Sequence, residues 1–470
     1  MGTLVSVCGP SSATPRTAAT AKSLPVSAAK LTEVRVPGTK PMSAAAVDLA
    51  KAGYTEREFY AEGKAHRFRG AVDRTLKTAE VIDGNWSYRT RVLVRTPKPE
   101  HFNGTLVVEW TNVTLGQDAD FAFAEAHEYL LRQGYAVAVV SAQNVGVERL
   151  KTWSPERYGS LSVAADNTDP QGGGTIDARN DPLSFDIMTQ VSKALKNNVG
   201  DKAGNNRPLP RMKVRDVIAM GQSQSGIRLT NYYNTIQPLY NFFDGFVYWD
   251  RSDQLRSDLP VPAISVNSEA IYEGWPVVTT SKYTRAWDVA GASHASLYAS
   301  QYIDDMVVRD KSLAGPDGPR SFTDLVEAEG CDLNPPFSTV DNGLVVNTAI
   351  DSVRRWITTG KPAAPSRYFE LDSSGALARD ANGKVRGGIR LAQFTAPTAF
   401  TAPNGPGFLC SLSGHHRDYT AAELKGLYKT HQNYVAQVRD TMRDARKDGY
   451  ILKFDETTAV RAAEASNVAR

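Results

Sequence analysis

Short runs of apolar residues predict a buried sheet from about residue 100 onward. These runs are rich in β-branched and aromatic residues and cover residues 104–110, 135–143, 214–220, 243–249, 261–268 and 284–291. Near-continuous apolar runs of this length are typical of strands that are buried on both faces. Helical patterns at 121–133 and 184–197 lie between them. The alternation predicts a doubly wound, mostly parallel α/β sheet with right-handed crossovers.

The chain on either side of these runs has a different pattern. Residues 54–97 alternate between apolar and polar positions, which predicts antiparallel edge strands. Residues 1–40 are rich in Ser, Ala, Thr and Pro, which favours a flexible leader. The short apolar start of that leader is at best the remnant of a signal peptide. We therefore expect one elaborated α/β domain over 41–470.

Two additions to that domain are expected. The stretch 145–182 contains a long Gly- and Asp-rich loop, and a loop of this length inside a domain is typical of a lid over a site. A C-terminal extension of about 300–470 includes helical patterns at 351–360 and 421–449. We expect part of this extension to help cover the site.

The composition of the chain argues against several classes of protein. The 470 residues include 54 Lys and Arg against 51 Asp and Glu, without a long basic run, which argues against a nucleic-acid binder. No stretch reaches the ~18 apolar residues that a membrane span requires. The 7 His and 3 Cys show no zinc-finger spacing, and no metal site is predicted. A soluble enzyme or a large binding domain remains.

The segment GQSQSG (221–226) lies between a predicted strand and a predicted helix, which is the setting of a nucleophile elbow. The positions two residues before and after the nucleophile have to be small, because the backbone packs closely there. Ser223 has Gly221 and Ser225 at these positions, whereas Ser225 would have Ile227. Ser223 is the predicted nucleophile, and a plain helix N-cap is the alternative.

Partners for Ser223 follow in the chain order of α/β-hydrolases, the acid before the histidine. Glu269 follows the predicted strand 261–268, and His294 comes shortly after the strand 284–291. We predict Glu269 as the triad acid and His294 as the base. The alternatives for the acid are Glu273, Asp250 and Asp253, and those for the base are His415 and His416.

An oxyanion hole needs two backbone N–H groups directed at the developing negative charge. Gln224, immediately after the nucleophile, should supply one of them. Asn112 or Val113, in the loop after the first predicted core strand, should supply the other. The sequence does not distinguish these two.

Cys331 and Cys410 both lie in Gly- and Pro-rich segments rather than on an apolar helical face. A bridge between them would close a loop worth ~4 kcal/mol and would indicate an oxidising compartment. Free thiols are the alternative.

The segments GQSQSG, VNSEAIYEG, VAGASHA and VVEWTNVT together resemble a family of α/β-hydrolase-domain proteins that are mostly bacterial and often exported. The resemblance covers about residues 55–460. It implies a carboxylic-ester hydrolase with catalytic roles for Ser223, Glu269 and His294. It also implies a Cys331–Cys410 disulfide and export, to the cell exterior or the periplasm.

The predicted reaction is ester hydrolysis through an acyl-enzyme, with a small-molecule ester as substrate and no cofactor. The same triad would serve an acyltransferase or a serine peptidase. A third hypothesis is a binding protein that has kept a hydrolase scaffold without activity.

Overall fold

The computed structural model describes residues 23–73, 76–200, 206–250, 253–272, 281–315, 317–328 and 335–470. Nine strands form one sheet: β1 (Lys30–Glu33), β2 (Tyr54–Arg69), β3 (Glu80–Pro97), β4 (Thr105–Trp110), β5 (Ala136–Val140), β6 (Asp216–Gln222), β7 (Gly245–Trp249), β8 (Ala263–Ser268) and β9 (Thr284–Val289). Two small two-stranded sheets pair β10 (Ala314–Gly315) with β11 (Gly318–Pro319) and β12 (Ala399–Ala402) with β13 (His415–Asp418).

The order of strands in the large sheet is β1-β2-β3-β5-β4-β6-β7-β8-β9. Strands β4 to β9 pair in parallel, whereas β1, β2 and β3 add an antiparallel edge. The mostly parallel α/β sheet predicted from the apolar runs is confirmed, as are the antiparallel strands within 54–97. The carboxyl ends of the parallel strands meet at one edge, where ligands bind in open α/β sheets.

The helices are α1 (Phe121–Arg132), α2 (Asn144–Trp153), α3 (Pro155–Tyr158), α4 (Ser184–Asn197), α5 (Ser223–Asn231), α6 (Gln237–Tyr240), α7 (Glu269–Tyr272), α8 (Leu297–Asp310), α9 (Phe322–Ala328), α10 (Gly343–Thr359), α11 (Ala392–Thr395), α12 (Phe408–Ser413), α13 (Ala421–Tyr428), α14 (His431–Lys447) and α15 (Lys453–Ala465). A π-helical turn, Tyr232–Ile236, joins α5 to α6. Among the described residues, no helix has both the length and the hydropathy that crossing a membrane requires.

Apolar layers cover both faces of the sheet. On one face Val107 packs in a cluster with Ile303 of α8, and on the other Leu106 and Val108 pack with Ile187 of α4. Because successive side chains of a strand point to opposite faces, both layers draw on the same strands. This explains why the core strands are near-continuous apolar runs.

The structure corrects the predicted leader at 1–40. Residues 1–22 lie outside the described residues, but Lys30–Glu33 forms the edge strand β1, antiparallel to β2. Ala29 and Val34, on either side of that strand, are buried. The backbone hydrogen bonds to β2 order a segment whose composition alone suggested flexibility.

The C-terminal part is integrated into the sheet. Helix α10 packs on β7 and β8, and Arg367 and Ile389 form isolated parallel bridges with Trp287 and Val289 of β9. The helical pattern at 421–449 is divided into α13 and α14. The break lies at Lys429, whose φ of 64° ends the first helix, and Thr430 caps the second.

None of the residues 145–182 lines the cavity that contains Ser223. This does not agree with the prediction that the stretch forms a lid over the site. Arg67 of β2 donates to the carbonyl of Thr168, and Arg69 bonds the Asp169 carboxylate. Asp177 pairs with the buried Arg228 of α5 at 2.5 Å. Aspartates of the Asp-rich loop therefore hold this stretch against β2 and α5 through ion pairs.

A buried ion pair fixes the loop that follows β4. The Arg91 guanidinium of β3 is fully buried and lies 3.0 Å from the Asp118 carboxylate. It also donates to the carbonyl of Met42 and to the hydroxyl of Ser141. Asp118 accepts a further hydrogen bond from Thr111, at the start of the same loop. The loop from Thr111 to Asp118 is therefore held at both ends.

We predict that Arg91→Leu lowers the free energy of unfolding by about 3–5 kcal/mol, because the Asp118 carboxylate is left buried without its cation. The matched control is Arg439→Leu, which removes the half-exposed Arg439–Glu464 pair and should cost less than about 1 kcal/mol. Equilibrium urea unfolding measures both. Equal losses in the two variants would contradict the anchoring role of Arg91.

Candidate active site

Ser223 lies on a sharp turn between β6 and α5. Its φ of 53° is in the left-handed region, which is costly for a residue with a Cβ atom. A Cβ atom at Gly221 would lie 2.9 Å from the carbonyl oxygen of Ser225. The close approach explains why position 221 has to be glycine. The turn has the geometry of the nucleophile elbow that the sequence predicted.

Ser225 stabilises this turn from the inside. Its hydroxyl is fully buried, accepts a hydrogen bond from the Gln222 N–H at 3.0 Å and donates to the Gln222 carbonyl at 3.0 Å. A hydroxyl committed to the backbone in this way holds the elbow closed. Ser225 is therefore a structural residue.

His294 lies in the loop after β9 and is almost fully buried. Its Nδ1 is 2.5 Å from Oδ2 of Asp250, the first residue after β7. Asp250 is itself fully buried and accepts two hydrogen bonds from Ser268, from the hydroxyl at 2.7 Å and from the backbone N–H at 2.9 Å. These bonds fix the carboxylate, and the carboxylate fixes the imidazole.

The prediction of Glu269 as the partner of His294 does not agree with this geometry. Glu269 is buried at the start of α7, where Oε2 accepts from the Gly291 N–H at 2.8 Å and Oε1 accepts from Arg379 at 2.7 Å. One carboxylate oxygen is thus directed at the histidine loop and the other at the C-terminal segment. Glu269 holds the loop that carries His294 without contacting the imidazole nitrogen that Asp250 occupies.

Strand order gives the physical reason for this correction. β7 lies directly beside β6, the strand that leads into Ser223, whereas β8 is one strand further away. A carboxylate at the end of β7 is therefore closer to the nucleophile than one at the end of β8. Asp250 also follows its strand without an intervening residue, and this sequence signal favoured it as much as Glu269. Glu273 lies outside the described residues.

Gln222, which the sequence analysis did not single out, contacts the histidine from the other side. Its Nε2 lies 3.4 Å from Nε2 of His294. The amide orientation is set by Asn112, whose Nδ2 donates to Oε1 of Gln222 at 2.9 Å and to its carbonyl at 3.1 Å. Asn112 thereby connects the loop after β4 to the elbow.

The two candidates for the second oxyanion donor differ in their hydrogen bonds. The Asn112 N–H donates to the carbonyl of Ala119 at 3.0 Å. The Val113 N–H makes a longer bond, 3.3 Å, to the side-chain oxygen of Gln224. The Gln224 N–H belongs to the first turn of α5, where backbone donors have no acceptor within the helix. Val113 is therefore the more available donor of the pair.

Ser223 and His294 line one cavity of about 50 Å³. The other lining residues come from the loop after β4, from the elbow and from the C-terminal part: Asn112, Thr114, Leu115, Phe121, Gln222, Ala295, Phe322, Leu409, Leu412 and Ser413. Residues of the C-terminal part thus contribute to the lining of this cavity.

The alternative histidines and the predicted disulfide lie in the C-terminal part. His415 and His416 are in β13, and Nδ1 of His416 is 2.8 Å from the carbonyl oxygen of Phe337. Burial lowers the pKa of His415. Cys410 is fully buried in the short helix α12 rather than in a loop, whereas Cys331 lies outside the described residues.

A third buried carboxylate, that of Asp288, lies near Asp250. Asp288 of β9 accepts from the Asn267 side chain at 2.9 Å and from the Phe369 N–H at 3.1 Å. Burial raises the pKa of Asp288 to about 7, and the charge of Asp250 adds to this effect. Within the described residues, no group of three or more His, Cys, Asp or Glu side chains is arranged to hold a metal ion.

Comparison with protein families places most of the chain in a known domain family. A model of an alpha/beta hydrolase domain matches residues 13–461. No curated protein matches the chain.

Several solved structures match the chain at low sequence identity. An alpha-beta serine hydrolase homologue from Coxiella burnetii is 11% identical, with a TM-score of 0.27 over 48% of this chain and 93% of that one. An S-formylglutathione hydrolase from Agrobacterium tumefaciens is 11% identical, with a TM-score of 0.25 over 49% and 87%. The rice cell wall degrading esterase LipA from Xanthomonas oryzae is 12% identical, with a TM-score of 0.22, and the match spans 42% of this chain and 43% of that one. Likeness at this level carries no argument about activity.

We predict that Asp250→Asn lowers kcat/KM on an activated ester by about 10⁴-fold, because the amide favours the wrong imidazole tautomer. Glu269→Gln keeps an acceptor for the Gly291 N–H and loses only the charge opposite Arg379. Its kcat/KM should therefore fall by less than about tenfold. Steady-state kinetics on both variants, with folding checked by circular dichroism, makes the comparison. A Glu269→Gln enzyme as inactive as Asp250→Asn would restore Glu269 as the triad acid.

Proposed function

The chain belongs to the α/β-hydrolase domain family, and on that premise we propose that it hydrolyses carboxylic esters through Ser223, His294 and Asp250. The observation that carries the proposal is the buried contact of 2.5 Å between Nδ1 of His294 and Oδ2 of Asp250, beside a serine on a strained elbow. His294 and Ser223 line the same cavity. This is the constellation of a nucleophile, a base and an orienting acid.

The acylation step follows from these positions. Nε2 of His294 takes the proton of the Ser223 hydroxyl, and Oγ attacks the carbonyl carbon of the ester. Asp250 holds Nδ1–H and stabilises the imidazolium that forms. The imidazolium then returns its proton to the alcohol oxygen as the C–O bond breaks, which leaves an acyl-enzyme and free alcohol.

Deacylation repeats the sequence with water as the nucleophile. His294 takes a proton from the water, the hydroxide oxygen attacks the acyl carbon, and the proton goes to Oγ of Ser223. Carboxylic acid leaves, and the free serine is restored. The same three side chains therefore serve both halves of the reaction.

The N–H groups of Val113 and Gln224 form the proposed oxyanion hole. The Asn112 N–H is committed to Ala119, whereas the 3.3 Å contact of the Val113 N–H is one that a developing oxyanion can replace. One such donor contributes about 3 kcal/mol of transition-state stabilisation. The buried Arg91–Asp118 pair and the Asn112–Gln222 bonds hold the loop that presents Val113.

We also propose that Cys331 and Cys410 form a disulfide and that the protein is exported. Cys331 follows shortly after the end of α9, and α9 contacts α12, which carries the buried Cys410. A bridge here would fasten α12 at the wall of the cavity.

Mass spectrometry of a non-reduced digest should detect the linked peptides that contain Cys331 and Cys410. Alkylation of both thiols without prior reduction would contradict the bridge and, with it, the main argument for export.

We predict that a fluorophosphonate probe labels Ser223 and that Ser223→Ala abolishes both labelling and ester hydrolysis. Because the triad acts as a unit, His294→Ala should be nearly as inactive and the double variant little worse. Ser225→Ala is the matched control. Alanine fits the elbow and leaves Ser223 and His294 in place, so this variant should lose stability with the two hydrogen bonds to Gln222 but keep substantial activity. The measurement is probe labelling followed by peptide mapping, together with kcat/KM on esters and on anilides of the same acyl group.

Two results would contradict the assignment. A folded Ser223→Ala enzyme with near-wild-type turnover would exclude Ser223 as the nucleophile. Anilide turnover that exceeds ester turnover would make the protein a peptidase with the same triad.

A further inference from the structure

We propose that the cavity at Ser223 is an acyl pocket for short unbranched chains of about two to four carbons, and that Leu412 and Phe322 set this limit. The inference rests on the proposed ester hydrolysis and names the class of ester. It is argued from the position, the lining, the volume and the anchoring of the cavity.

The position of the cavity favours the acyl part of the ester. The acyl group stays covalently attached to Ser223 until water releases it, whereas the alcohol leaves after the first step. A cavity that includes the nucleophile is therefore placed to hold the group that remains. The loop after β4, which carries the proposed oxyanion donor Val113, also borders the cavity through Asn112 and Thr114.

The lining suits a hydrocarbon chain. Apolar side chains form much of the wall, including Leu115, Phe121, Phe322, Leu409 and Leu412. The polar lining residues include the catalytic pair and the Asn112–Gln222 amides that bond each other. A charged or strongly polar acyl group would lose its hydration against these walls without finding matching donors and acceptors.

The volume sets the length. The cavity measures about 50 Å³. A group the size of a water molecule needs about 10–15 Å³, so about three to five such groups fit. The carbonyl carbon, the carbonyl oxygen and the methyl group of an acetyl ester are three groups. Butyryl esters approach the limit, and hexanoyl esters exceed it.

The walls from the C-terminal part are held in place from several sides. The carbonyl of Leu412 accepts from the Ala295 N–H at 3.0 Å, directly after the catalytic histidine. The carbonyls of Ser413 and Gly414 accept from the N–H groups of Ser338 and Phe337 at 3.0 and 2.9 Å. The end of helix α12 is thus bonded both to the histidine loop and to the segment 337–338. These bonds hold Leu412 in a fixed position relative to the histidine loop.

Phe322 is braced in an aromatic cluster. Its ring lies 6.0 Å from that of Phe121, edge to face, and 6.0 Å from that of Phe337. Such packed side chains resist displacement, because a well-packed interior has few voids to take up the shift. The pocket therefore cannot widen easily for a longer chain, and the limit on length follows from rigid walls.

The test uses the full-length protein and p-nitrophenyl esters of acids with two to eight carbons. We expect kcat/KM to be highest between acetate and butyrate and to fall about 10–200-fold once a further methylene no longer fits. A second series, acetate esters of alcohols of increasing length, should show a much weaker dependence. The two series separate an acyl pocket from an alcohol pocket.

Variants that change the wall in opposite directions complete the test. Leu412→Ala and Phe322→Ala should raise the ratio of hexanoate to acetate kcat/KM at least tenfold. Leu115→Phe should narrow the profile towards acetate, which keeps the test informative if an enlarged variant does not fold. The matched control is Leu427→Ala on α13, whose side chain is largely exposed outside the cavity, and it should leave the ratio unchanged.

The outcomes distinguish the two proposals. A flat acyl-length profile in a protein whose Ser223 is labelled and active would overturn the short-chain pocket and leave the ester hydrolase intact. A profile that depends on the alcohol and not on the acid would overturn it as well. Absence of turnover on every ester, together with an unlabelled Ser223, would overturn both.

Discussion

The arrangement of the site depends on one buried carboxylate, that of Asp250. It lies at the end of β7 with no exposure to solvent, and Ser268 donates to it twice. An isolated buried carboxylate is costly, and the hydrogen bonds from Ser268 and His294 compensate for that cost. The charge is then available to hold Nδ1 of His294 and to stabilise an imidazolium during the reaction.

A second carboxylate acts through the backbone. Glu269 accepts from the N–H of Gly291, and the Ala270 N–H bonds the carbonyl of Ala292. These contacts fix the start of the loop that carries His294, while Leu412 of the C-terminal part accepts from Ala295 on the other side of the histidine. His294 is thus held at its ring by Asp250 and at its backbone from both directions. A histidine loop anchored in this way keeps the Nε2 atom of His294 in position.

Sequence patterns predicted the sheet and the elbow because both depend on local chemistry. Strands buried on both faces have to be apolar at nearly every position, and the elbow requires a glycine at 221, where a Cβ atom would meet the backbone of Ser225. The prediction of the acid was wrong because Asp250 and Glu269 both follow buried strands. Only the order of strands in the sheet distinguishes the two positions. The positions of Phe322 and Leu412 depend on contacts between distant parts of the chain, which periodicity does not encode. The role of Gln222 depends equally on Asn112, and the orientation of its amide is visible only in three dimensions.

The hydrogen bond between His294 and Asp250 is the central claim, and proton NMR tests it most directly. A strong bond from Nδ1–H to a buried carboxylate gives a far-downfield proton resonance that His294→Ala should remove and thereby assign. The account predicts that this resonance disappears in Asp250→Asn and persists in Glu269→Gln. Its loss in Glu269→Gln together with its persistence in Asp250→Asn would contradict the account.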